Sequence, residues 1–422
     1  MIYRDFCTER VSLLGFGAMR LPTTPDGAID RAMAETMVDR AISEGVNYFD
    51  TAYPYHGGLS EVVLGEILNK YPRDSFFLAD KYPGHQLMKS YDPAAIFEEQ
   101  LEKCGVEYFD FYLLHNVYER SMAVYTDKEI GILDYFIEQK KKGRIRHLGF
   151  STHALTEGLR EFLDIAGEHM EFCQIQMNYL DYTLQDAKGK YDLLTERGIP
   201  VVIMEPVRGG KLARLEGEDA APLSALRPSA SYASFAFRWL FDFDNIGVIL
   251  SGMSDMTHVE DNLATFNAFE KISDTERETL AAIAERMQHS VPCTGCRYCT
   301  DGCPMGLDIP LLIATCNELR VQNSMNASMK VEFLPDDKKP TACISCGACT
   351  SICPQSIDIP AVLAELSDRV AKMPKWADIS REREEAAERI KAAKKATRPA
   401  NKTQKTQTLV YIGDTDESVK AF

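Results

Sequence analysis

The sequence predicts an α/β protein in which a (β/α)8 TIM barrel is followed by a small, cysteine-rich helical domain. From about residue 29 to residue 270, short β-rich runs alternate with helix-length amphipathic stretches, which indicates parallel strands joined by crossover helices. Eight strand candidates over ~250 residues match the strand count and length of such a barrel. Beyond this region, eight of the twelve cysteines recur in two copies of one pattern.

The predicted elements follow one another in barrel order. The strand candidates are Val11–Gly15, Tyr48–Asp50, Phe76–Ala79, Phe109–Leu114, Ile145–Phe150, Phe172–Ile175, Pro200–Met204 and Ile246–Leu250. The helix candidates between them include Ala32–Ser43, Ser60–Asn69, Ala94–Lys103, Asp127–Lys142 and Ala187–Arg197. A doubly wound open sheet is the alternative, but it is disfavoured because no Gly-x-Gly-x-x-Gly motif follows the first strand.

Three regions are predicted along the chain. Residues 1–272 form the barrel, and residues 273–375 hold a linker helix at 274–289 and the cysteine-rich domain. Residues 376–422 are a charged tail, in which 379–405 is rich in Arg, Glu, Lys and Ala without an apolar stripe. Such a composition predicts an exposed helix and a flexible end.

The two cysteine runs share the spacing C-x2-C-x2-C-x3-C-P. Thiolates hold cubane iron–sulfur clusters at this spacing, and in two-cluster ferredoxins the fourth cysteine of each run ligates the other run's cluster. A disulfide framework would need an oxidising compartment, although the N-terminus shows no secretory signal, and zinc sites seldom use this tight triplet followed by Cys-Pro. We therefore predict two 4Fe-4S clusters in a ferredoxin-like domain. The two ligand sets are Cys293, Cys296, Cys299 and Cys353, and Cys343, Cys346, Cys349 and Cys303.

A second repeat supports an internally duplicated module. Leu307 to Pro310 reads Leu-Asp-Ile-Pro, and Ile357 to Pro360 reads Ile-Asp-Ile-Pro, so each cysteine run precedes a proline-led helix. The first of these helices is predicted at 309–322, before a polar, methionine-bearing stretch. No catalytic role is assigned to the four remaining cysteines, which are Cys7, Cys104, Cys173 and Cys316.

The net charge and the length of the apolar runs exclude some classes of partner. A net charge of −16 argues against nucleic acid, whose phosphates need a basic surface. Because no apolar run reaches ~18 residues, a membrane span is not expected. A reducing, anaerobic cytoplasm is the expected setting.

Polar residues stand where several barrel strands end. Asp50 closes the second predicted strand, Lys81 follows the third and His115 the fourth, and Tyr55 lies in the loop after Asp50. Because active sites of such barrels lie at the C-terminal ends of the strands, these side chains should meet. An ammonium beside a tyrosine lowers the phenol pKa and favours proton transfer to a carbonyl oxygen, with Asp50 holding Lys81. Tyr53 is the alternative to Tyr55 as the proton donor.

These residues belong to a series of motifs that resembles the aldo-keto reductase family over about residues 10 to 265, while the cysteine-rich region resembles a bacterial two-cluster ferredoxin. The resemblance implies a (β/α)8 reductase with Tyr55 as acid, Asp50 and Lys81 as its tuning pair and His115 orienting the substrate. The motifs are Leu14 to Gly17, Asn47 to Ala52 with Tyr55, Ser60-Glu61, Leu64-Gly65, Lys81, Leu113 to Asn116, Gly149 to Ser151, Gln174 to Asn178 and Glu260 to Asn262.

The resemblance also implies binding of NADPH or NADH. Ser151 and Gln174 match positions that bind the nicotinamide carboxamide, Asn262 one near the adenine, and Ser251 to Ser254 the loop at the adenosine phosphate. That loop lacks the Pro-Lys-Ser of several family members, which leaves the nucleotide preference open. Met204 replaces a stacking aromatic, and Arg208 is a candidate pyrophosphate ligand. The nucleotide-binding candidates are Gly17, Met19, Ser151, Gln174, Met204, Arg208, Ser251, Gly252 and Asn262.

The favoured function is reduction of a small carbonyl compound to an alcohol by hydride transfer from NAD(P)H, with clusters of structural or electron-transfer role. The alternatives are a ferredoxin-linked electron-transfer protein, which would have a ferredoxin or another redox protein as partner, and a redox-sensing subunit. In both, the barrel would serve as a nucleotide-binding scaffold. A nicotinamide passes a hydride whereas each cluster passes single electrons, and no flavin motif is visible to connect them.

Overall fold

The computed structural model describes residues 1–86, 91–288, 291, 293, 297–353, 355–376, 378–381 and 385. The strands are β1 (Tyr3–Phe6), β2 (Glu9–Ser12), β3 (Leu14–Gly17), β4 (Tyr48–Asp50), β5 (Phe77–Tyr82), β6 (Phe109–Val117), β7 (Ile145–Thr152), β8 (Cys173–Gln176), β9 (Val201–Met204) and β10 (Ile246–Ser251). β3 to β10 are parallel and form a closed barrel, in which β10 pairs with β3. The predicted (β/α)8 barrel is confirmed.

Helices surround the barrel and continue beyond it. Those of the barrel region are α1 (Arg31–Ser43), α2 (Ser60–Leu68), α3 (Pro93–Cys104), α4 (Ser121–Thr126), α5 (Ile132–Lys141), α6 (Thr156–Ala166), α7 (Asp181–Leu184), α8 (Ala187–Glu196), α9 (Gly217–Leu226), α10 (Tyr232–Leu240) and α11 (Met256–Ala268). Those after it are α12 (Asp274–Gln288), α13 (Tyr298–Asp301), α14 (Ile309–Val321), α15 (Met325–Glu332), α16 (Ala348–Ile352) and α17 (Ile359–Ala371). None of these described helices is long and apolar enough to cross a membrane.

The prediction of the first barrel strand at Val11–Gly15 was wrong. The barrel strand is β3, whereas β2 pairs antiparallel with β1 in a hairpin. Leu13 separates the two strands in a bend, across which Ser12 Oγ donates a hydrogen bond to the carbonyl oxygen of Leu14 at 2.7 Å. The apolar run of the sequence therefore serves two elements.

The hairpin closes the N-terminal end of the barrel. Phe6 is buried against Phe111 and Phe172, at ring-centroid distances of 5.3 and 5.5 Å. A Cβ atom at Gly247 would lie 2.0 Å from the Phe6 ring, so only glycine fits there. With this end filled by side chains, the chemistry is left to the opposite end of the strands.

The predicted helix Asp127–Lys142 begins later than expected. Asp127 Oδ1 accepts hydrogen bonds from the backbone N–H groups of Glu129 and Ile130, and Gly131 has a φ of 70°. This turn holds the chain in non-helical conformation until α5 begins at Ile132. The predicted start was therefore wrong, because Asp127 caps a local turn and is not part of the helix.

The region after the barrel is duplicated, as predicted. Asp308 and Asp358 cap α14 and α17 by accepting backbone hydrogen bonds at 3.3 Å, and a proline stands in the first turn of each helix. The two cysteine runs also match in backbone conformation, with φ of 63° at Arg297 and 76° at Gly347. The polar stretch between the runs forms α15, which the sequence analysis did not predict.

The chain divides into two compact units, residues 1–380 and 381–422. Within the first unit, the cysteine-rich region packs against loops at the C-terminal ends of the barrel strands. Glu318 of α14 accepts a hydrogen bond from Gln185 Nε2 at 2.8 Å, and the Arg120 guanidinium lies 4.0 Å from the Phe333 ring centroid. The predicted tail helix falls almost entirely outside the described residues.

Candidate active site

A buried ion pair forms the centre of the site. Lys81, on β5, is fully buried and donates from Nζ to Asp50 Oδ1 at 2.5 Å and to the Thr51 carbonyl oxygen at 2.7 Å. Tyr55 Oη lies 3.5 Å from the same Nζ. The parallel ends of β4 and β5 therefore bring together the three residues that the sequence placed in one site.

The structure distinguishes Tyr55 from its rival Tyr53. Tyr53 Oη donates to Glu99 Oε2 at 3.2 Å, and Lys103 Nζ lies 4.2 Å from the Tyr53 ring centroid. These partners belong to α3, outside the barrel mouth. Only Tyr55 shares the Lys81 ammonium.

Burial raises the pKa of Tyr55, and the nearby Lys81 ammonium offsets only part of this effect. The net direction is opposite to that expected from Lys81 alone, because desolvation of the phenolate outweighs the attraction. Burial alone would lower the pKa of Lys81. The charges of Asp50 and Tyr55 raise it by more than burial lowers it, so the net shift is upward. The site thus holds a protonated phenol beside a permanent ammonium.

His115 completes the predicted group of four. Its ring centroid lies 5.9 Å from that of Tyr55, and the planes are nearly perpendicular. Burial, followed by the charges of His85 and Lys81, lowers its pKa well below the ordinary value, so the imidazole is neutral near pH 7. A neutral imidazole can donate a hydrogen bond to a carbonyl oxygen.

Sequence reasoning missed His85, whose ring centroid is 4.4 Å from that of His115. It lies in the loop after β5 and is 9% exposed. The available signal was its position four residues after Lys81 in the same strand-end loop, where barrel catalysis is concentrated. The site therefore carries a pair of adjacent histidines.

The residues expected to hold the nicotinamide carboxamide lie at the ends of β7 and β8. Gln174 is buried, its Nε2 is 3.5 Å from Met204 Sδ, and its Oε1 has no hydrogen-bond partner among the described residues. Ser151 Oγ accepts the backbone N–H of Asn116 at 2.8 Å. An unpartnered amide oxygen fits the NH2 group of a carboxamide, so these residues are compatible with a nicotinamide nucleotide.

The residues expected at the adenosine end lie around β10. Asn262 Nδ2 donates to Ser251 Oγ at 2.7 Å, and both side chains are buried. A Cβ atom at Gly17 would lie 3.3 Å from the Ser251 carbonyl oxygen, so the ends of β3 and β10 approach closely there. Gly252 lies beneath the Arg20 side chain.

The remaining nucleotide candidates are dispersed. Met19 is 53% exposed, and Arg208 is 4% exposed in an ion pair with Asp181. This buried pair gives Arg208 a partner other than a pyrophosphate, whose contact stays a prediction. Arg20, which the sequence analysis did not select, lies 3.6 Å from Glu205 and is half-exposed at the mouth.

Four cysteines from both runs line one cavity. Cys303 of the first run meets Cys343, Cys346 and Cys349 of the second, with Met305, Leu307, Ile309 and Leu363 forming the apolar part of the wall. This is the second predicted ligand set, including its crossed member. Four thiols around an apolar cavity fit a cubane cluster.

The structure describes three of the four cysteines in the other predicted ligand set. Cys299 is buried, while Cys293 and Cys353 are partly buried and pack against the same apolar core. Cys296 lies outside the described residues. No group of three His, Cys, Asp or Glu side chains in the described part of the chain is close enough to hold a single metal ion.

The barrel region matches a known family. Residues 13–285 match the model of the aldo/keto reductase family, which is more than half of the chain. The chain belongs to the aldo/keto reductase family. The sequence resemblance is therefore confirmed, and the protein is an oxidoreductase of this type. Residues 292–357 match the 4Fe-4S dicluster domain, which confirms the resemblance of the cysteine-rich region to a two-cluster ferredoxin.

Two relatives are similar over most of their length. The NADH-specific methylglyoxal reductase of Escherichia coli is 24% identical over 323 residues, which are 66% of this chain and 96% of the relative. The L-galactose dehydrogenase of Arabidopsis thaliana is 26% identical over 306 residues, or 65% and 90% of the two chains.

Solved structures show the same fold. An aldo-keto reductase from Bacillus halodurans, in its holo form, has a TM-score of 0.54 and 25% identity, and covers 67% of this chain and 96% of its own. An aldo-keto reductase from Klebsiella pneumoniae in complex with NADPH has a TM-score of 0.55 and 20% identity, over 67% and 96% of the two chains.

Proposed function

We propose that the protein reduces a small aldehyde or ketone to an alcohol with a nicotinamide nucleotide, and that Tyr55 supplies the proton. The observation that carries the proposal is the shared ammonium: Lys81 Nζ pairs with Asp50 at 2.5 Å and lies 3.5 Å from Tyr55 Oη. A structural ion pair would not need a phenol at its open side. The neutral His115 beside Tyr55 adds a second donor for the same oxygen.

Each residue has a defined task in this mechanism. His115 orients the carbonyl by donating a hydrogen bond to its oxygen, and Tyr55 donates its proton to that oxygen as negative charge develops there. Lys81 stabilises the phenolate that remains, while Asp50 holds the ammonium in position. The nicotinamide, when bound, supplies the hydride that the carbonyl carbon accepts. Gln174 and Ser151 would hold its carboxamide.

We also propose that the preferred nucleotide is NADH. In the loop that would meet the adenosine phosphate, Asp255 caps α11 and accepts the backbone N–H of His258 at 3.0 Å. A hydrogen bond from Thr257 lowers the Asp255 pKa, so the carboxylate is ionised and would repel a 2′-phosphate. Relatives of both kinds are similar to this chain, since one named as NADH-specific is 24% identical and one named as NADPH-dependent is 28% identical over a shorter region, so the proposal depends on Asp255.

Two 4Fe-4S clusters are proposed for the cysteine-rich region, with the crossed ligand sets described above. Their first role is structural, because clusters would hold together the region that packs on the barrel mouth through Glu318 of α14 and through Phe333, the residue after α15. Exposure favours a second role, electron exchange with a soluble redox protein. Cys346 is exposed and Ile344 is 60% exposed at the edge of the cavity. Full activity with the clusters held in either oxidation state would support the structural role alone, whereas activity that depends on the oxidation state would support electron exchange.

The test of carbonyl reduction compares Tyr55→Phe with Tyr53→Phe in the cluster-loaded protein. Oxidation of NADH by a panel of aldehydes and ketones is expected to fall about 100- to 10,000-fold in Tyr55→Phe, since a general acid is lost. Tyr53→Phe, which removes an equivalent hydroxyl outside the mouth, should keep nearly all activity. Equal activity of both variants, or no binding of either nucleotide to the wild type, would refute the proposal.

A further inference from the structure

The main chain of Lys81 lies just beyond the point where β4 stops pairing with β5. The two strands pair as far as Asp50 and Ala79, and the Thr51 N–H donates to the Ala79 carbonyl oxygen at 2.9 Å. Alternate residues of a strand face the same neighbour, so Lys81 is the next residue of β5 on this side. Because Lys81 is buried, its main-chain N–H and carbonyl groups need partners from elsewhere in the fold.

Two side chains supply these partners. Asp80 Oδ1 accepts the Lys81 N–H at 2.8 Å, and Gln100 Nε2, on α3, donates to the Lys81 carbonyl oxygen at 3.1 Å. The Thr51 carbonyl oxygen accepts the Lys81 ammonium at 2.7 Å. Side-chain hydrogen bonds thus fix both the main chain and the ammonium of Lys81 where strand pairing ends.

Gln100 is itself held in one orientation. Its Nε2 also donates to Glu61 Oε1 at 3.0 Å, and its Oε1 accepts the Tyr112 hydroxyl at 2.5 Å. Lys103 Nζ donates to the other carboxylate oxygen of Glu61 at 3.0 Å. Gln100, Glu61 and Tyr112 are all inaccessible to solvent. A rotation of the Gln100 amide would therefore leave buried polar groups without partners, which is costly.

Asp80 joins the same buried network as a neutral group. Burial, followed by the charge of Glu61, raises the pKa of Asp80 well above its ordinary value, and Glu61 is also its hydrogen-bond partner. A carboxylic acid that donates to one group and accepts from another has the hydrogen-bonding pattern of an amide. Asp80 therefore supplies hydrogen bonds, while the ionised carboxylate beside the Lys81 ammonium is that of Asp50.

We propose that Gln100 and Asp80 are positioning residues, which hold the Lys81 main chain so that its ammonium reaches both Asp50 and Tyr55. This inference rests on the proposed carbonyl reduction, in which Lys81 stabilises the Tyr55 phenolate. The ammonium lies 2.5 Å from Asp50 Oδ1 and 3.5 Å from Tyr55 Oη. These separations matter, because displacement of a catalytic group by about 1 Å can lower a rate about 100-fold.

Gln100→Met tests the inference, and Gln139→Met is its matched control. Gln139 is also buried, and its Oε1 accepts from Arg144 Nη1 at 3.2 Å. Arg144 directly precedes β7, so this glutamine lies at the opposite end of the barrel. In cluster-loaded protein with NADH, Gln100→Met should lower kcat about 10- to 100-fold with little change in KM or in the Kd of NADH, whereas Gln139→Met should keep kcat. Equal kcat values for the two variants would overturn the inference.

The pH profile distinguishes positioning from a general loss of activity. The Lys81 ammonium lowers the pKa of Tyr55 against the effect of burial, so an ammonium moved away from Tyr55 leaves that pKa higher. The fall of kcat at high pH should therefore move to higher pH in Gln100→Met but not in Gln139→Met. A lowered kcat whose fall at high pH is not moved would mean that the loss does not act through Lys81.

A conservative variant of Asp80 provides a rescue. Asparagine keeps an oxygen for the Lys81 N–H and an NH2 group for Glu61, whereas leucine, of similar size, keeps neither. Asp80→Asn should retain most of the kcat that Asp80→Leu loses. Similar losses in the two variants would contradict a role through the hydrogen bond to Lys81.

A stability measurement separates this inference from the proposed reduction. The coupling energy between Lys81 and Asp50, obtained from urea unfolding of single and double variants, needs no turnover. It should fall to about half or less in the Gln100→Met background, because a displaced ammonium loses its short contact, and stay unchanged in Gln139→Met. An unchanged coupling in Gln100→Met overturns the inference even if carbonyl compounds are reduced. A lowered coupling supports it even if no carbonyl compound is reduced, in which case the proposed function fails alone.

Discussion

The ion pair between Lys81 and Asp50 should be strongly coupled, because both side chains are nearly inaccessible, at 0% and 3% exposure. Removing one partner of a buried pair leaves an uncompensated charge and costs about 3–5 kcal/mol of unfolding free energy. Lys81→Met and Asp50→Asn should each lose an amount in this range. The double variant should regain most of it, because replacing both charges is often neutral or stabilising. The expected coupling energy is therefore about 3 kcal/mol.

The assay is urea unfolding of the anaerobic, cluster-loaded protein, followed by far-UV circular dichroism for the wild type, both single variants and the double variant. The matched control is the pair Lys188 and Asp192, which has the same distance of 2.5 Å but is 56% and 46% exposed. Its coupling should be below about 1 kcal/mol. The double variant at Lys81 and Asp50 should be stable yet inactive, since Tyr55 has lost its ammonium. Additive losses at Lys81 and Asp50 would refute the reasoning.

Four further predictions follow from individual groups. Asp255→Ser keeps a helix cap but removes the charge. The kcat/KM for NADH, divided by the kcat/KM for NADPH, should therefore fall about tenfold. An unchanged ratio would show that Asp255 does not contact the nucleotide. Cys303→Ser should roughly halve the iron content, whereas Cys316→Ser, at a buried position in the same region, should leave it unchanged; equal iron in both would exclude Cys303 as a ligand. Lys190 on α8 is 6% exposed, and burial lowers its pKa from 10.5 to about 8, so its charge destabilises the fold at pH 7 and the penalty disappears as pH rises through that interval. Lys190→Met should therefore raise the unfolding free energy at pH 7 by up to about 3 kcal/mol in denaturant titrations, and no gain would show that the Lys190 charge is not destabilising. Since burial raises the pKa of Tyr55 above about 10, kcat for reduction should stay level from about pH 6 to about pH 9 and fall only beyond; a fall near pH 7 would assign the proton to another group.

The barrel could be predicted from the sequence because its signal is repeated at every strand. Asp50, Lys81 and His115 stand at strand ends whose position follows from the fold class alone. The first strand was misplaced, since one apolar run serves both the hairpin strand β2 and the barrel strand β3. No local pattern distinguishes the two, because they differ in their pairing partners, β1 for β2 and the distant β10 for β3.

The site was predicted less completely where it depends on desolvation and on distant contacts. The charge of Lys81 suggested a lowered pKa for Tyr55, but the depth of burial, which no sequence motif reports, reverses the direction. His85 likewise carries no motif of its own.

The most direct test of the account is the origin of the hydrogen that becomes bonded to carbon in the alcohol. NADH deuterated at either face of the nicotinamide C4 would be used with cluster-loaded enzyme and an aldehyde in ordinary water, and the alcohol analysed by mass spectrometry and NMR. Direct hydride transfer at the Tyr55 site predicts that one of the two labelled forms places deuterium on the carbinol carbon. Alcohol that carries only solvent hydrogen at that carbon with both forms would mean that electrons travel through the clusters, and would contradict the account.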